Sequence, residues 1–249
     1  MISKLKTKNF MNYKESSVLI TGASQGIGRS IALNFSKKTN HPLLLLARNA
    51  DNLHKTKELC LKAGAKKVSV LPCDATSSED VNKLTIPEGY PNPGILINNA
   101  GIYLYKMLAE TTEEEFKKQI NVNLFTAVNV VNRFLPDMKK MDRALIINIC
   151  SISSLRGFGD SGAYAASKHA LLGYTRSLRD ELNETDVAVT AINLGQTHSP
   201  SWDESDMSPD RLNNPDDIAS LIVAITEFSP RSVVEEITIQ PQHGRVPPM

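Results

Sequence analysis

The residues best placed to do chemistry are Tyr164, Lys168 and Ser151, which fall within one short stretch of the sequence. Tyr164 and Lys168 stand four positions apart in the run YAASK, so on a helix they share one face. An ammonium beside a phenol favours the phenolate, and we therefore expect Lys168 to lower the tyrosine pKa towards the range of a working proton donor or acceptor. Ser151 could hold a substrate oxygen beside this pair. The pattern alone also fits an ordinary amphipathic helix, so the surrounding motifs decide between the two interpretations.

A glycine-rich turn, TGASQGIG, lies far upstream and contains Gly22, Gly26 and Gly28. It follows the apolar run SVLIT and precedes a helical pattern. Glycine supplies positive φ angles there and lets a pyrophosphate approach the backbone closely. The phosphates would then lie at a helix N-terminus, where amide donors and the helix dipole favour anions. This strand–turn–helix context predicts a nucleotide-binding site.

The end of the second apolar run indicates which nucleotide is bound. Enzymes that use NAD usually place a carboxylate there, on the ribose 2′-hydroxyl. This chain instead has Arg48, in the run LARN. Because a guanidinium can bind a 2′-phosphate in bidentate fashion, Arg48 favours NADP(H) over NAD(H). We expect Arg29, just after the glycine turn, to lie on the outer face of the first helix.

Short apolar runs alternate with helical patterns along the chain. The run LLLLA at 43–47 is typical of a parallel strand that is covered on both faces. The alternation predicts an α/β fold: one doubly wound parallel sheet, or Rossmann fold, of about seven strands with helices on both faces. We assign residues 16–249 to this single domain and residues 1–15 to an N-terminal arm. Strands are predicted at 17–21, 43–47, 67–74, 94–101, 144–151, 187–195 and 233–240, and long helices at 112–138 and 162–184.

The composition argues against several classes of partner. The 249 residues carry a net charge of +1 and contain no long basic or acidic block, so we expect neither nucleic acid nor a membrane surface as a partner. No apolar segment approaches the length of a membrane span, and the polar start does not look like a secretory signal. Cys60, Cys73 and Cys150 show no metal-ligand spacing. We therefore predict no metal and a cytoplasmic location, where sparse, unpaired cysteines are usual.

Taken together, the motifs resemble those of the short-chain dehydrogenase/reductase family, in its branch of about 250 residues with a TGxxxGxG turn. The resemblance runs from about residue 16 to residue 240 and depends on the order and spacing of the motifs. The matching segments are TGASQGIG, LPCDAT, NNAG at 98–101, NVNLF, IINICS and YAASK.

The resemblance implies how the cofactor is held. Asp74 would hydrogen-bond the adenine amino group, and residues 98–101 would line the cofactor ribose and stabilise the central sheet. The family pattern assigns to cofactor binding Gly22, Ser24, Gly26, Ile27, Gly28, Asp74, Asn98, Ala100, Gly101, Tyr164 and Lys168.

The resemblance also implies a reaction. Ser151 would hold a substrate carbonyl oxygen, and Tyr164 would protonate that oxygen as hydride arrives, or deprotonate an alcohol in the reverse direction. Lys168 would bind the nicotinamide ribose and lower the tyrosine pKa. Asn123 would distort its helix locally and hold a water in a proton relay. The implied activity is the NADP-dependent interconversion of a ketone or aldehyde and an alcohol, with the cofactor supplying hydride.

The chain departs from the family pattern after the sixth strand. The usual Pro-Gly pair is replaced by Leu194-Gly195, in which Gly195 keeps the turn. The nicotinamide-contacting positions then fall on Thr197 and Ser199. The crossover between the third and fourth strands is also short, with a proline-rich loop in place of a full helix, and we expect this to affect structure and not chemistry.

The substrate is less well defined by the sequence. Segments after Ser151 and after NNAG, and the loop at 196–214, are expected to line its site, with Ser151, Ser153, Tyr164 and Trp202 as contacts. These segments look mainly apolar and aromatic, without a cluster of arginines, and favour a moderately apolar carbonyl compound. The tail SPRSVVEEITIQP is similar to members that include sepiapterin-reductase-like and broad carbonyl-reductase-like proteins. Reductases of 3-oxoacyl thioesters remain an alternative.

Two other functions compete with a carbonyl reductase. A non-catalytic NADP-binding sensor or scaffold would keep the fold without needing all four of Asn123, Ser151, Tyr164 and Lys168. A sugar-nucleotide epimerase is disfavoured by the glycine spacing and by the lack of a second substrate domain. We also expect a homodimer or homotetramer, because the helices at 112–138 and 162–184 carry small residues and the corresponding helices of relatives pair across a two-fold axis.

Overall fold

The computed structural model describes Tyr13, residues 16–203 and residues 205–246. Seven strands form one sheet in the order β3-β2-β1-β4-β5-β6-β7, and every neighbouring pair is parallel. The strand bounds are β1 Ser17–Thr21, β2 Leu43–Ala47, β3 Val68–Pro72, β4 Pro93–Asn98, β5 Ala144–Ser151, β6 Val187–Leu194 and β7 Glu236–Ile239. The predicted doubly wound sheet is therefore confirmed.

Helices connect the strands and cover both faces of the sheet. Their bounds are α1 Gly26–Lys38, α2 Ala50–Lys62, α3 Ser78–Asn82, α4 Glu113–Ile120, α5 Thr126–Met138, α6 Gly162–Glu181 and α7 Pro215–Thr226. One face packs against α1, α2 and α7, and the other packs against α3, α5 and α6. The inner strands are buried on both faces, and alternate residues of β1, β2, β4 and β5 enter different cores. This burial explains apolar runs such as LLLLA in β2.

The strand order reverses direction between β1 and β4. The connection after β1 leads to β2 on one side of the sheet, and the connection after β4 leads to β5 on the other side. A crevice therefore opens between the carboxyl ends of β1 and β4. In sheets of this kind, ligands bind in that crevice. The strand residues Ile20 and Ile97 on either side of it are fully buried and paired in register, which holds the crevice walls together.

The long helix predicted at 112–138 is interrupted. Thr112 caps α4 through a capping box with Glu115, as the run of acidic residues there suggested. The backbone then makes a π-helical turn over Asn121–Phe125 before α5 begins. Such π turns often mark functional sites.

The predicted N-terminal arm lies mostly outside the described residues. Tyr13 is the exception: it is 4% exposed and packs with the core on the α1 face, with the Arg143 guanidinium 4.5 Å from its ring centroid. Tyr13 thus belongs to the packed domain, although we expected the arm to extend to residue 15.

Candidate active site

A cleft of about 620 Å³ lies at the carboxyl ends of the strands. Its walls come from the segments that follow all seven strands, including the glycine turn after β1, and from Ser151 at the end of β5. The volume is in the range of small-molecule and cofactor sites. The cleft also contains most of the residues that the sequence assigned to chemistry, namely Gly22, Ser24, Gly26, Ile27, Arg48, Asp74, Ala100, Gly101, Ser151, Ser153, Tyr164, Lys168, Gly195, Thr197, Ser199 and Trp202.

The glycine turn forms a cradle that side chains would fill. Gly22 and Gly26 have φ angles of +64° and +54°, in the left-handed region that glycine adopts at no steric cost. A Cβ on Gly28 would lie 2.3 Å from the carbonyl oxygen of Gly22 and 2.6 Å from the Asn99 amide nitrogen. Gly28 therefore permits the close packing of α1 against β1, although it does not itself line the cleft.

The start of α1 fits a phosphate group. Gln25 is the N-cap residue, its side chain makes no capping hydrogen bond, and the first turn of the helix carries no acidic residue. The first amides of the helix are thus left without a side-chain acceptor, beside a cradle of glycines. This combination fits the pyrophosphate of a dinucleotide.

Asn99, one of the residues 98–101 expected to line the cofactor ribose, also supports the glycine turn. Its side-chain amide donates to the carbonyl oxygens of Thr21, at 3.0 Å, and Gly22, at 3.3 Å. In return, the Thr21 hydroxyl accepts from the backbone amides of Asn99 and Ala100, each at 3.0 Å. The end of β4 therefore holds the glycine turn in shape.

Asn98 has a different position from the one we predicted. Its side chain is 4% exposed, donates to the Asn148 amide oxygen at 2.8 Å, and does not line the cleft. Contact with the cofactor by this side chain was therefore a wrong prediction. The expected stabilisation of the central sheet is observed, because the bond joins β4 to β5.

Arg48 and Asp74 lie together at one end of the cleft. Arg48 is exposed, and among the described residues no acid forms an ion pair with it. The Asp74 carboxylate accepts from the backbone amide and hydroxyl of Thr76, at 3.1 and 2.8 Å, which fixes its orientation at the cleft wall. An exposed guanidinium without an ion-pair partner in the described part of the chain, beside an oriented carboxylate, fits a phosphorylated ribose and an adenine amino group.

Arg29 does not lie on the outer face of α1, as we expected. Its Nε donates to the Thr56 hydroxyl at 3.0 Å and its Nη2 donates to the Ser24 carbonyl oxygen at 2.5 Å. The side chain thus ties the glycine turn to α2, and the positive charge that follows Gly28 serves to fix the cradle.

The Ser151, Tyr164 and Lys168 side chains meet in the middle of the cleft. Ser151 ends β5, and Tyr164 and Lys168 share one face in the first two turns of α6. The Ser151 side chain lies near the Tyr164 hydroxyl, close enough for hydrogen bonding to counter part of the rise in the phenol pKa. The Lys168 ammonium lies 5.9 Å from the Tyr164 ring centroid and donates to the Ile149 carbonyl oxygen at 2.9 Å. The predicted trio is therefore assembled by the fold.

The acidity of Tyr164 differs from our expectation. Burial raises the pKa of the phenol to about 12, and this effect outweighs its hydrogen bond to Ser151. Burial also lowers the pKa of Lys168, because both charged forms lose solvation in the same cleft. The phenol is thus protonated at neutral pH, as a proton donor must be, but the ammonium does not bring its pKa into the neutral range.

Asn123 lies in the π-helical turn, where the predicted helix distortion is found. Its side-chain oxygen accepts from the Ile102 backbone amide at 2.8 Å, and its amide nitrogen donates to the Ile102 carbonyl oxygen at 3.0 Å and the Ser167 hydroxyl at 2.9 Å. The side chain lies behind Gly101, where an added Cβ would be 2.9 Å from the amide oxygen. Asn123 therefore positions the segment after β4 against α6, and its part in a proton relay stays a prediction.

The loop after β6 closes over the glycine turn. The Gly195 amide donates to the Ile239 carbonyl oxygen at 2.7 Å, which holds the turn although the family proline is absent. The Thr197 hydroxyl donates to the Gly195 carbonyl oxygen at 2.9 Å. A Cβ on Gly26 would lie 3.2 Å from the ring of Pro200, next to Ser199. Thr197 and Ser199 thus line the cleft, and their contact with the nicotinamide stays a prediction.

The remaining end of the cleft combines aromatic and cationic side chains. The Tyr103 ring stands edge-on to that of Tyr164, with centroids 4.9 Å apart. Phe158, Arg156 and Arg245 complete this end. Our expectation of a lining without grouped arginines was therefore wrong. Arg156 could have been found from its position soon after Ser151, whereas nothing in the sequence places Arg245, near the C-terminus, at this site.

Metal ligands, thiols and membrane-spanning helices also bear on function. Among residues 16–203 and 205–246, no group of three or more histidine, cysteine or acidic side chains is arranged to hold a metal ion. The cysteines are buried, and burial raises the pKa of the Cys150 thiol, next to Ser151, to about 11. None of the described helices combines the length and apolarity that crossing a bilayer requires.

Comparison with known proteins places these features in a family. The family profile described as short chain dehydrogenase matches residues 16–209. Sepiapterin reductase from Chlorobaculum tepidum is 32% identical over 238 residues, covering 92% of this chain and 97% of the relative. Fatty acyl-CoA reductase from Acinetobacter baylyi is 30% identical over 247 residues, covering 95% and 81%. An alcohol dehydrogenase from Thermococcus sibiricus, solved in complex with 5-hydroxy-NADP, superposes with a TM-score of 0.85 at 26% identity, over 93% of this chain and 99% of that one.

Proposed function

This chain belongs to the short-chain dehydrogenase/reductase family, and we propose that it is an NADP(H)-dependent oxidoreductase that interconverts a ketone or aldehyde and an alcohol. The observation that carries the proposal is the contact between Tyr164 and Ser151 inside the cleft that also contains the glycine turn. A proton donor and a nucleotide cradle in one cleft fit a reaction in which hydride and proton are delivered to the same carbonyl.

Tyr164 is the general acid that supplies the proton to the carbonyl oxygen. Ser151 donates a hydrogen bond to the carbonyl oxygen and holds it against the phenol, which transfers its proton as negative charge develops on that oxygen. Because burial keeps the pKa of Tyr164 at about 12, the phenol is in the protonated form that reduction requires throughout the neutral range. Lys168 contributes a buried positive charge next to the phenol and stabilises the phenolate left after transfer.

The cofactor is held by the opposite part of the cleft. The glycine turn and the first amides of α1 would bind the pyrophosphate, Asp74 would accept from the adenine amino group, and Arg48 would pair with the ribose 2′-phosphate. Thr197 and Ser199 offer hydroxyls to the carboxamide, and Lys168 can reach the nicotinamide ribose. When bound, the cofactor supplies the hydride. The structural relative that binds an NADP derivative supports the choice of NADP(H).

A direct test is to follow NADPH oxidation with a panel of aldehydes, ketones, quinones, a pterin and a 3-oxoacyl thioester. The pterin tests the similarity to sepiapterin reductase. The thioester tests the 3-oxoacyl thioester reductase that the sequence left as an alternative. Turnover of at least one carbonyl compound is expected. A protein that binds NADPH tightly and reduces none of them is a sensor or scaffold, and the proposal is then wrong.

Arg48→Gln is expected to raise the KM for NADPH by about 10- to 100-fold, because a charge-assisted contact contributes about 1.5–3 kcal/mol. NADH provides the matched control, since it lacks the 2′-phosphate and its KM should change little. The side chain is exposed, so the substitution should leave the fold intact. A wild-type preference for NADH, or equal effects on both cofactors, would contradict the role given to Arg48.

We further propose self-association through α5 and α6. Of the small residues that suggested this, Ala127 and Ala165 are buried within the protomer, whereas the aromatic Phe125, just before α5, is 46% exposed. Light scattering at micromolar protein should give a multiple of the chain mass of 27.4 kDa. Phe125→Asp should shift the mass towards that of the monomer, and a monomeric wild-type protein would refute the proposal.

A further inference from the structure

Two arginines line the cleft at the end that is remote from Arg48. Arg156 lies in the turn after β5, five residues beyond Ser151, and Arg245 comes from the C-terminal segment after β7. Both line the same cleft as Ser151 and Tyr164. Because the cofactor phosphates are assigned to the glycine turn and to Arg48, these two guanidinium groups are not needed for the cofactor.

Phe158 orders both guanidinium groups. The central carbons of Arg156 and Arg245 lie 4.7 and 4.2 Å from the centroid of its ring, within cation–π distance. A planar guanidinium stacks well on an aromatic face while its N–H groups stay free to donate. Phe158 thus brings the two guanidinium groups together without occupying their N–H donors.

The charges at this end do not balance. The Asp160 carboxylate accepts from Nη2 of Arg245 at 2.9 Å, and the Ser161 hydroxyl holds the other Asp160 oxygen at 3.1 Å. Within the described part of the chain, no acidic side chain forms an ion pair with Arg156. One net positive charge therefore faces the cleft, in a place where a single anionic group would be stabilised.

These arginines are close to the reacting group. The Tyr103 ring contacts that of Tyr164, with centroids 4.9 Å apart. The Tyr103 hydroxyl in turn lies near the Ser161 side chain, next to Asp160, and both Asp160 and Arg245 influence the pKa of the Tyr103 phenol. The distance from the proton donor to the cationic end is thus spanned by one aromatic side chain, which suits a substrate with a short apolar body.

The C-terminal segment that carries Arg245 is held in place. The Gln196 side chain, in the loop after β6, donates to the Val246 carbonyl oxygen at 3.0 Å and accepts from the Val246 amide at 2.8 Å. Val246 is 1% exposed. Arg245 is therefore fixed by the anchored residue beside it, by the Phe158 ring and by Asp160, so its charge is an ordered part of the site.

Building on the proposed carbonyl reduction, we propose that the substrate is a ketone or aldehyde that carries a carboxylate, which binds Arg156 beside Arg245. One net positive charge matches a monoanionic carboxylate better than a dianionic phosphate. The aromatic rings of Tyr103 and Phe158 cover the body of the substrate between its two polar ends. This makes the substrate class more specific than the moderately apolar carbonyl compound expected from the sequence.

The test compares acids with their neutral esters. NADPH oxidation is measured with 3- and 4-carboxybenzaldehyde and with succinic semialdehyde, each against its methyl ester. We expect wild-type kcat/KM to be higher for the acid in at least one pair. Arg156→Gln should lower kcat/KM for that acid at least about tenfold more than for its ester, as the loss of a charge-assisted contact implies. Arg231→Gln, an exposed arginine outside the cleft, is the matched control and should leave the ratio unchanged.

A binding measurement separates recognition from turnover. The alcohol product of the preferred acid is titrated calorimetrically into protein saturated with NADP⁺, and Arg156→Gln should weaken its binding by at least about tenfold. If esters are reduced as well as acids, or if Arg156→Gln affects both alike, the carboxylate inference is wrong while carbonyl reduction stands. A higher kcat/KM for phosphorylated aldehydes than for carboxylated ones would also overturn it. If no carbonyl is reduced by a folded, NADPH-binding protein, the proposed function fails and this inference with it.

Discussion

Replacing Tyr164 with phenylalanine is expected to lower kcat/KM for carbonyl reduction by about 10²- to 10⁴-fold, the usual contribution of a positioned general acid. The substitution removes only the hydroxyl that contacts Ser151, and the ring can keep its edge-on contact with Tyr103. NADPH binding, measured by calorimetry, should change little because the cradle at Gly22–Gly28 is untouched. Tyr174→Phe is the matched control, since Tyr174 lies on the same helix but not at the cleft.

The pH dependence of the wild-type enzyme adds a second readout for Tyr164. Reduction requires the phenol, which is present at all pH values below its pKa of about 12, so Tyr164 should impose no pH dependence on reduction near neutrality. Oxidation of the alcohol requires the phenolate, whose fraction rises about tenfold per pH unit below the pKa. Alcohol oxidation should therefore rise with pH between about pH 7 and 9, and Tyr164→Phe should abolish the rise. A variant that keeps both the rate and the pH profile would exclude Tyr164 as the proton donor.

Gly28→Ala is expected to damage both stability and cofactor binding. A Cβ at this position would approach the Gly22 carbonyl oxygen to 2.3 Å, which no side-chain rotation can relieve because the atom it meets is backbone. The glycine turn must then open, at a cost of about 1–3 kcal/mol or more. For a chain of this length, that corresponds to a fall in Tm of roughly 2 to 12 °C. Calorimetric titration should also show NADPH binding that is weaker by about tenfold or more.

Gly173→Ala is the matched control for Gly28→Ala. Gly173 lies in α6, is exposed, and has no atom within 4 Å of the position a Cβ would take. Alanine is favoured over glycine in a helix interior by about 0.5–1 kcal/mol, so this variant should be as stable as the wild-type protein or slightly more stable. If Gly28→Ala behaved like Gly173→Ala in both Tm and NADPH affinity, the close-packed cradle would be refuted.

The sequence predicted those parts of the site that depend on local pattern. The seven strands, the turn at Gly22–Gly28 and the shared helix face of Tyr164 and Lys168 were all predicted, because hydrophobic period, glycine spacing and the helical repeat are properties of contiguous residues. Positions at strand ends were also placed correctly, since the carboxyl ends of parallel strands must meet at one edge of the sheet. Ser151 and Asp74 both lie at that edge as expected.

Predictions that depended on distant contacts were less successful. Asn98 was expected at the cofactor, but it binds Asn148 on the neighbouring strand inside the sheet. Arg29 was expected to face outward, but it reaches Ser24 and Thr56. A polar side chain takes the partners that folding brings near it, and those partners belong to other segments of the chain.

The sequence by itself thus determined the fold, the family and the set of groups available for a hydride and proton transfer. Only the tertiary structure decided two properties that depend on surroundings. The pKa of Tyr164 is raised and not lowered, because the loss of solvation on burial exceeds the influence of neighbouring groups. The cationic end of the cleft exists because the C-terminal segment brings Arg245 onto Phe158, next to Arg156. Desolvation and the meeting of remote segments are set by three-dimensional packing, and no spacing along the chain encodes them directly.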